Sequence, residues 1–130
     1  MIVRKVLNIE DLPSKQVAVR RALERCGVPY IDHAETAVEA LDMIEDAIAE
    51  GKPYHAIVSD MYFPMSRGGM EVQAGMYVIE ELQARGIDIP VIVCSSARMV
   101  IPEIVGCIHY SSRNDLDADM REMIELVRNM

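Results

Sequence analysis

Ile89-Pro90-Val91-Ile92-Val93-Cys94 is an almost unbroken apolar run of strand length. A strand with one face in water alternates apolar and polar side chains, whereas a run apolar on both faces belongs to a central parallel strand covered from two sides. Parallel neighbours need crossover connections, usually helical, so this stretch predicts strands alternating with helices along the chain. Immediately upstream, Gly75, Val78, Ile79 and Leu82 mark a helical stripe that closes near Gly86. Before that, residues 54–59 (YHAIVS) form a strand that delivers Asp60 at its end.

The same alternation continues outward. Thr36-Ala37-Val38-Glu39 has capping-box spacing, and Ala37, Leu41, Ile44 and Ile48 carry a helix to Gly51. Residues 28–34 are a weaker extended run, an edge strand because Asp32 and His33 interrupt it. Residues 3–9 (VRKVLNI) form the first strand, ending at Glu10-Asp11; Pro13 and Ser14 then open a helix whose stripe is Val19, Ala22, Leu23 and Cys26, stopped by Gly27. Downstream, residues 97–105 leave room only for a short fourth helix weakened by Pro102. Residues 107–111 are a fifth strand, and Asn114 or Asp115 caps a last helix with the stripe Leu116, Met120, Met123, Ile124 and Val127. The expected architecture is α/β: a doubly wound, five-stranded parallel sheet of order 2-1-3-4-5 with helices on both faces.

The bulk numbers fit one domain over residues 1–130. The chain is 51% hydrophobic, in short runs broken by charge, which excludes disorder. No apolar stretch approaches a membrane span and the N-terminus lacks a signal-peptide pattern, so a cytoplasmic location is expected. The formal charge of −8 and the lack of a basic stripe argue against nucleic-acid binding. Cys26, Cys94 and Cys107 are expected to be reduced, buried small hydrophobes, with no CxxC motif among them. With no linker and a helix at the end, any output is expected from this domain's own surface.

Ligands of open parallel α/β sheets bind beyond the carboxyl ends of the strands, where the strand order reverses. In the order 2-1-3-4-5 that point lies between strands one and three. Glu10-Asp11 ends the first and Asp60 ends the third, so acids far apart in sequence converge there. Two like charges ~4 Å apart cost about 4 kcal/mol at an effective dielectric near 20, so a cation or a raised pKa must offset them. An all-oxygen cluster with open positions suits Mg²⁺. Singly, each acid is as well explained by a helix N-terminus or a cap; three of them at two converging strand ends favour a ligand site.

VLNIED at 6–11, SDMYFP at 59–64 and PVIVCSS at 90–96, with the spacing from Gly75 to Arg85-Gly86, resemble the receiver domain of two-component response regulators. The resemblance covers essentially the whole chain and implies the flavodoxin-like receiver fold. It implies that Asp60 is a phosphate acceptor, and that Asp11 coordinates Mg²⁺ (or Mn²⁺) directly, Glu10 directly or through water, with the Tyr62 backbone carbonyl as the third protein ligand. Ser95 takes the place of the switch hydroxyl, with Ser96 as the backup, and Tyr110 that of the switch aromatic. The implied phosphodonor is a histidine kinase or phosphotransfer protein and the implied output a downstream protein target. Neither nucleic acid nor membrane is expected as a partner, and the domain would be a monomer or weak dimer. It would not be an enzyme beyond catalysing its own phosphorylation and dephosphorylation.

Three departures from that family stand out. Where it usually carries a lysine followed by proline, this chain has Arg113 followed by Asn114, and its lysines are confined to Lys5, Lys15 and Lys52. Arginine and lysine are not interchangeable at a phosphate. The glycine expected eight residues after the acceptor stands at Gly75, implying a seven-residue insertion, unless Gly68 takes that place and the insertion lies in the next helix. The Met- and Gly-rich segment around 65–74 could then be a docking loop or packing filler. The third departure is the short fourth helix. The leading expectation is a stand-alone phosphorylatable receiver; the alternative is a receiver-like adaptor that has lost phosphorylation and binds partners constitutively. A haloacid-dehalogenase-type phosphatase needs a second Asp where Tyr62 stands, and a nucleotide-binding protein needs a glycine-rich loop after the first strand. His33, His55 and His109 have no ligand-like spacing.

Overall fold

The computed structural model describes residues Met1–Met130. Its central sheet contains β1 (Lys5–Ile9), β2 (Tyr30–Ala34), β3 (Ala56–Ser59), β6 (Val91–Ser95) and β7 (Gly106–His109), all parallel, in the order β2-β1-β3-β6-β7. Between β3 and β6 a two-stranded antiparallel ribbon intervenes, β4 (Phe63–Pro64) with β5 (Glu71–Val72). Discounting the ribbon, the order is 2-1-3-4-5, as the alternation of strands and helices predicts. Four helices complete the fold: α1 (Pro13–Arg25), α2 (Ala37–Ala49), α3 (Ala74–Ala84) and α4 (Leu116–Arg128).

The run at 89–94 behaves as expected of a covered strand. Val91 and Val93 join the core under α2 and α3, while Ile92 and Cys94 join the core under α1 and α4. Pro90 lies outside the strand but its carbonyl accepts from Ile57 N–H at 2.9 Å, so the missing proline donor costs the ladder nothing. β2 is an edge strand, with only Ala34 fully buried. Thr36 Oγ1 accepts from Glu39 N–H at 3.1 Å, but Glu39 Oε1 returns to Glu35 N–H, one residue before the position a capping box uses. Asp115, not Asn114, caps α4, accepting from Ala118 N–H.

Several expectations are corrected. Residues 97–105 form no helix, only bends and turns. Pro102 supplies no N–H, and Glu103 sits at φ 72°, a left-handed conformation incompatible with a helix. The stripe of α2 ends on Ala47 and leaves Ile48 41% exposed. Only Cys94 is buried; Cys26, at the C-cap of α1, and Cys107, on the edge strand β7, are half-buried.

Candidate functional site: an acidic cluster with a buried lysine

Strand register brings the acids together. Ile9 of β1 pairs with Ser59 of β3, so the residues that follow, Glu10 and Asp60, leave the sheet side by side. Asp60 N–H donates to Ile9 O at 3.0 Å, which fastens the two strand ends. Oxygens of Glu10, Asp11 and Asp60 all lie within 4.8 Å of one another. Within this cluster Glu10 is only 2% exposed, whereas Asp11 and Asp60 are half-buried. Leu12 N–H donates to Glu10 Oε2 and Met61 N–H to Asp60 Oδ1, the latter at 2.7 Å.

Gly75 decides how the chain leaves Asp60. A Cβ there would sit 2.6 Å from Asp60 O and 2.8 Å from Met61 Cα, and Gly75 N–H donates to Met61 O at 3.0 Å. Only glycine allows the start of α3 to touch that backbone. Gly68, by contrast, faces open space at φ 81°. The extra residues therefore precede Gly75 and fold as the β4–β5 ribbon. The ribbon returns to the site: Asp11 beside Glu71 holds the Glu71 carboxyl above its ordinary range.

The cation at this cluster is Lys15, from the first turn of α1. Its side chain is 6% exposed, and Nζ lies 2.9 Å from Glu10 Oε1, 3.2 Å from Asp60 Oδ1 and 2.7 Å from Cys94 O. The ammonium thus hydrogen-bonds the Cys94 carbonyl and ion-pairs with Glu10 and Asp60, groups carried by the ends of β1, β3 and β6. Tyr110 covers the same group, its ring centroid 5.1 Å from Nζ, within range of a cation–π attraction. Burial opposes the charged form of Lys15, but Glu10 and the neighbouring acids outweigh it and hold the ammonium above its usual range. At Glu10 the balance falls the other way: burial dominates the pull of Lys15, and the carboxyl is raised. The Cys94 thiol is pushed up to about 12 by burial and stays neutral.

The residues anticipated from sequence separate into two groups. Glu10, Asp11 and Asp60 converge, and Tyr110 borders them through Lys15. Ser95 is buried, its Oγ accepting from Ala97 N–H, and Ser96 is exposed with its carbonyl against His109 Nε2. Tyr62 follows directly after Met61 and is 42% exposed. Arg113 is exposed, and its guanidinium makes no hydrogen bond or ion pair with the acids. Lys15 itself escaped the sequence reading, although a signal was there. Lys15, Val19 and Ala22 stand at i, i+4 and i+7, so the buried stripe of α1, extended back one turn, lands on a lysine beside Glu10-Asp11.

No protein-family model matches the chain, and no curated protein matches it in sequence. Solved structures match it in fold. A two-component response regulator from Cytophaga hutchinsonii superposes with a TM-score of 0.74 at 16% identity, over 100% of both chains. The response regulator TrrA from Thermotoga maritima, solved in complex with Mg²⁺–BeF, gives 0.71 at 19% identity, over 95% of this chain and 98% of that one. The response regulator PhyR from Brucella abortus gives 0.70 at 18% identity over 97% of this chain, which spans about half (48%) of PhyR. No helix is long and apolar enough to cross a membrane. The chain has the fold of a response-regulator receiver domain.

Proposed function

We propose that the protein is a phosphoryl-accepting receiver in a phosphorelay, with Asp60 as the acceptor. The observation that carries this reading is the convergence of Glu10, Asp11 and Asp60 within 4.8 Å at the point where the strand order reverses. Three carboxylates against one ammonium leave two negative charges uncompensated, and the donors are oxygens only. That set fits a hard divalent cation. Glu10, Asp11, Asp60 and the Tyr62 carbonyl would hold Mg²⁺, which supplies charge neutralisation on the transferring phosphoryl group.

The chain's own groups prepare the nucleophile. Asp60 Oδ1 is engaged by Met61 N–H and Lys15, which leaves Oδ2 free of protein donors. Oδ2 attacks the phosphorus of a phosphorylated histidine; the new P–O bond forms as the P–N bond breaks, and the leaving imidazole nitrogen takes up a proton from water. The acyl phosphate adds charge and acceptor oxygens beside Lys15, with Ser95 as the hydroxyl that would report them, the kind of change that reorders adjoining loops. TrrA, of the same fold, has been captured with Mg²⁺–BeF, which supports this assignment of the cation. A histidine kinase or phosphotransfer protein is the matching donor, and a protein is the matching target.

A second reading, a constitutive adaptor, is favoured by one feature: Arg113, where a lysine would be expected, is exposed and unpaired with the acids. Incubation with Mg²⁺ and phosphoramidate followed by intact-mass measurement separates the two. One added phosphoryl group, abolished by Asp60→Ala, is expected. Absence of any mass gain together with no Mg²⁺ affinity would leave the adaptor.

A further inference from the structure

We propose that Lys15, reaching in from helix α1, is the cation that grips the phosphoryl group on Asp60, and that the loop after β7 contributes no charge to it. The inference rests on the receiver reading above and names the residue that completes that site.

The geometry is restrictive. A phosphoryl group on Asp60 must lie within a bond length of the carboxylate, and Lys15 Nζ is already 3.2 Å from Asp60 Oδ1. Lys5 is tied to Lys52 O and the Tyr54 ring at the opposite ends of the strands, while Arg67, Arg98 and Arg113, in the loops nearest the site, are exposed and unpaired with the acids. Burying an ammonium is costly unless every proton finds an acceptor. Here a hydrogen bond to Cys94 O and ion pairs with Glu10 and Asp60 hold the head between three strand ends, so little reorganisation is needed when charge arrives. Lys15 also links the site to Tyr110, whose ring covers the ammonium and whose N–H donates to Ser95 O at 2.8 Å. Because one ammonium faces both Asp60 and that ring, added charge on Asp60 changes the balance of its pull on the ring, so the change on Asp60 is felt at the end of β7 without any lysine in that strand.

The test uses the full chain and the variants Lys15→Met, Lys15→Arg and Arg113→Ala. Two quantities are measured: phosphoryl uptake from phosphoramidate by intact mass, and Mg²⁺ affinity by calorimetry without phosphodonor. Lys15→Met should slow uptake by roughly 100-fold, the usual loss when a preorganised charge at a reacting centre is removed. It should at the same time bind Mg²⁺ tighter, by roughly 10-fold, because a positive neighbour of the ion is gone. Damage to the fold would weaken both, so opposite changes mark the electrostatic role. Lys15→Arg keeps the charge and should recover part of the uptake, and Arg113→Ala should leave both quantities as they are. Uptake unchanged in Lys15→Met, or lost in Arg113→Ala instead, overturns the assignment while leaving the receiver intact. A wild-type protein that takes up no phosphoryl group overturns the receiver reading itself, and this inference with it.

Discussion

The two sides of the acidic cluster are built differently. On the α1 side, Glu10 and Lys15 are buried, paired and bonded to the ends of three strands. On the β7–α4 side, Arg113 and Asn114 are exposed, and the preceding segment 97–105 has no helix and leaves Val100 98% exposed. A cation could enter such a site from either side. A helix start next to the first acids delivers one with the backbone already fixed, whereas an open loop must order itself to do so. The contrast accounts for a chain that lacks the lysine usual after the last strand yet keeps a buried ammonium at its centre.

The largest effect that would break this contrast is loss of Lys15. Removing one partner of a buried ion pair costs about 3–5 kcal/mol, because the other charge is left unpaired. Lys15→Met should therefore lose about 3 kcal/mol in urea denaturation at neutral pH without metal, and Mg²⁺ should return much of it. The loss should also shrink in acid. The folded Glu10 pKa is raised above 4.5, so Glu10 contributes stability below pH 4.5 that is lost as pH rises through its folded value. Without Lys15 that loss deepens, so the two proteins should converge toward acid and diverge toward neutrality. A gap that stays constant with pH would show that Glu10 is not the group left unpaired.

Gly75→Ala comes next. The added methyl meets backbone, not a flexible side chain, at 2.6 Å, so α3 or the Asp60 turn must shift. Overpacking of this kind costs about 1–3 kcal/mol, and Mg²⁺ affinity should fall because the turn carrying Asp60 moves. Gly68→Ala, in open space at positive φ, should cost less and leave Mg²⁺ binding alone.

Those two glycines show what was legible. Strand–helix alternation, sheet order, the Thr36 cap and the convergence of Glu10 with Asp60 follow from local pattern and topology, because each depends on periodicity or on strand ends. Which glycine follows the Asp60 turn could not be chosen from sequence, since both Gly68 and Gly75 suit a turn and only the approach to Asp60 O separates them. The role of Lys15 was hidden for a similar reason. A lysine in a first helical turn is ordinarily a solvated charge, and its burial depends on one carbonyl and two carboxylates brought together from the ends of β1, β3 and β6. The missing helix at 97–105 turns on Glu103 at positive φ, which composition does not reveal.

On the open side, effects should be smaller and confined to stability. Asp115 accepts from Ala118 N–H at 3.1 Å, and Asp115→Ala should cost about 1 kcal/mol as a lost helix cap. Mg²⁺ affinity should not change, since the cap satisfies α4 and touches nothing in the cluster.

Arg113→Glu should have the smallest effect, although it reverses a charge. Exposed substitutions away from buried networks usually stay within about 0.5 kcal/mol, and exposed charges are screened over roughly 8–10 Å at physiological ionic strength. Thermal stability and Mg²⁺ affinity should therefore both stay near wild type at that salt, with any change in affinity growing as salt is lowered. If the guanidinium instead swung into the cluster when the site was loaded, the reversal would strip a counter-charge from the phosphoryl group and add a repulsive one. Phosphoryl uptake would then drop at all ionic strengths, and the division between a built side and an open side would have to be abandoned. A salt-dependent change in Mg²⁺ affinity with uptake intact places Arg113 at a distance and leaves the ammonium of Lys15 as the site's own cation.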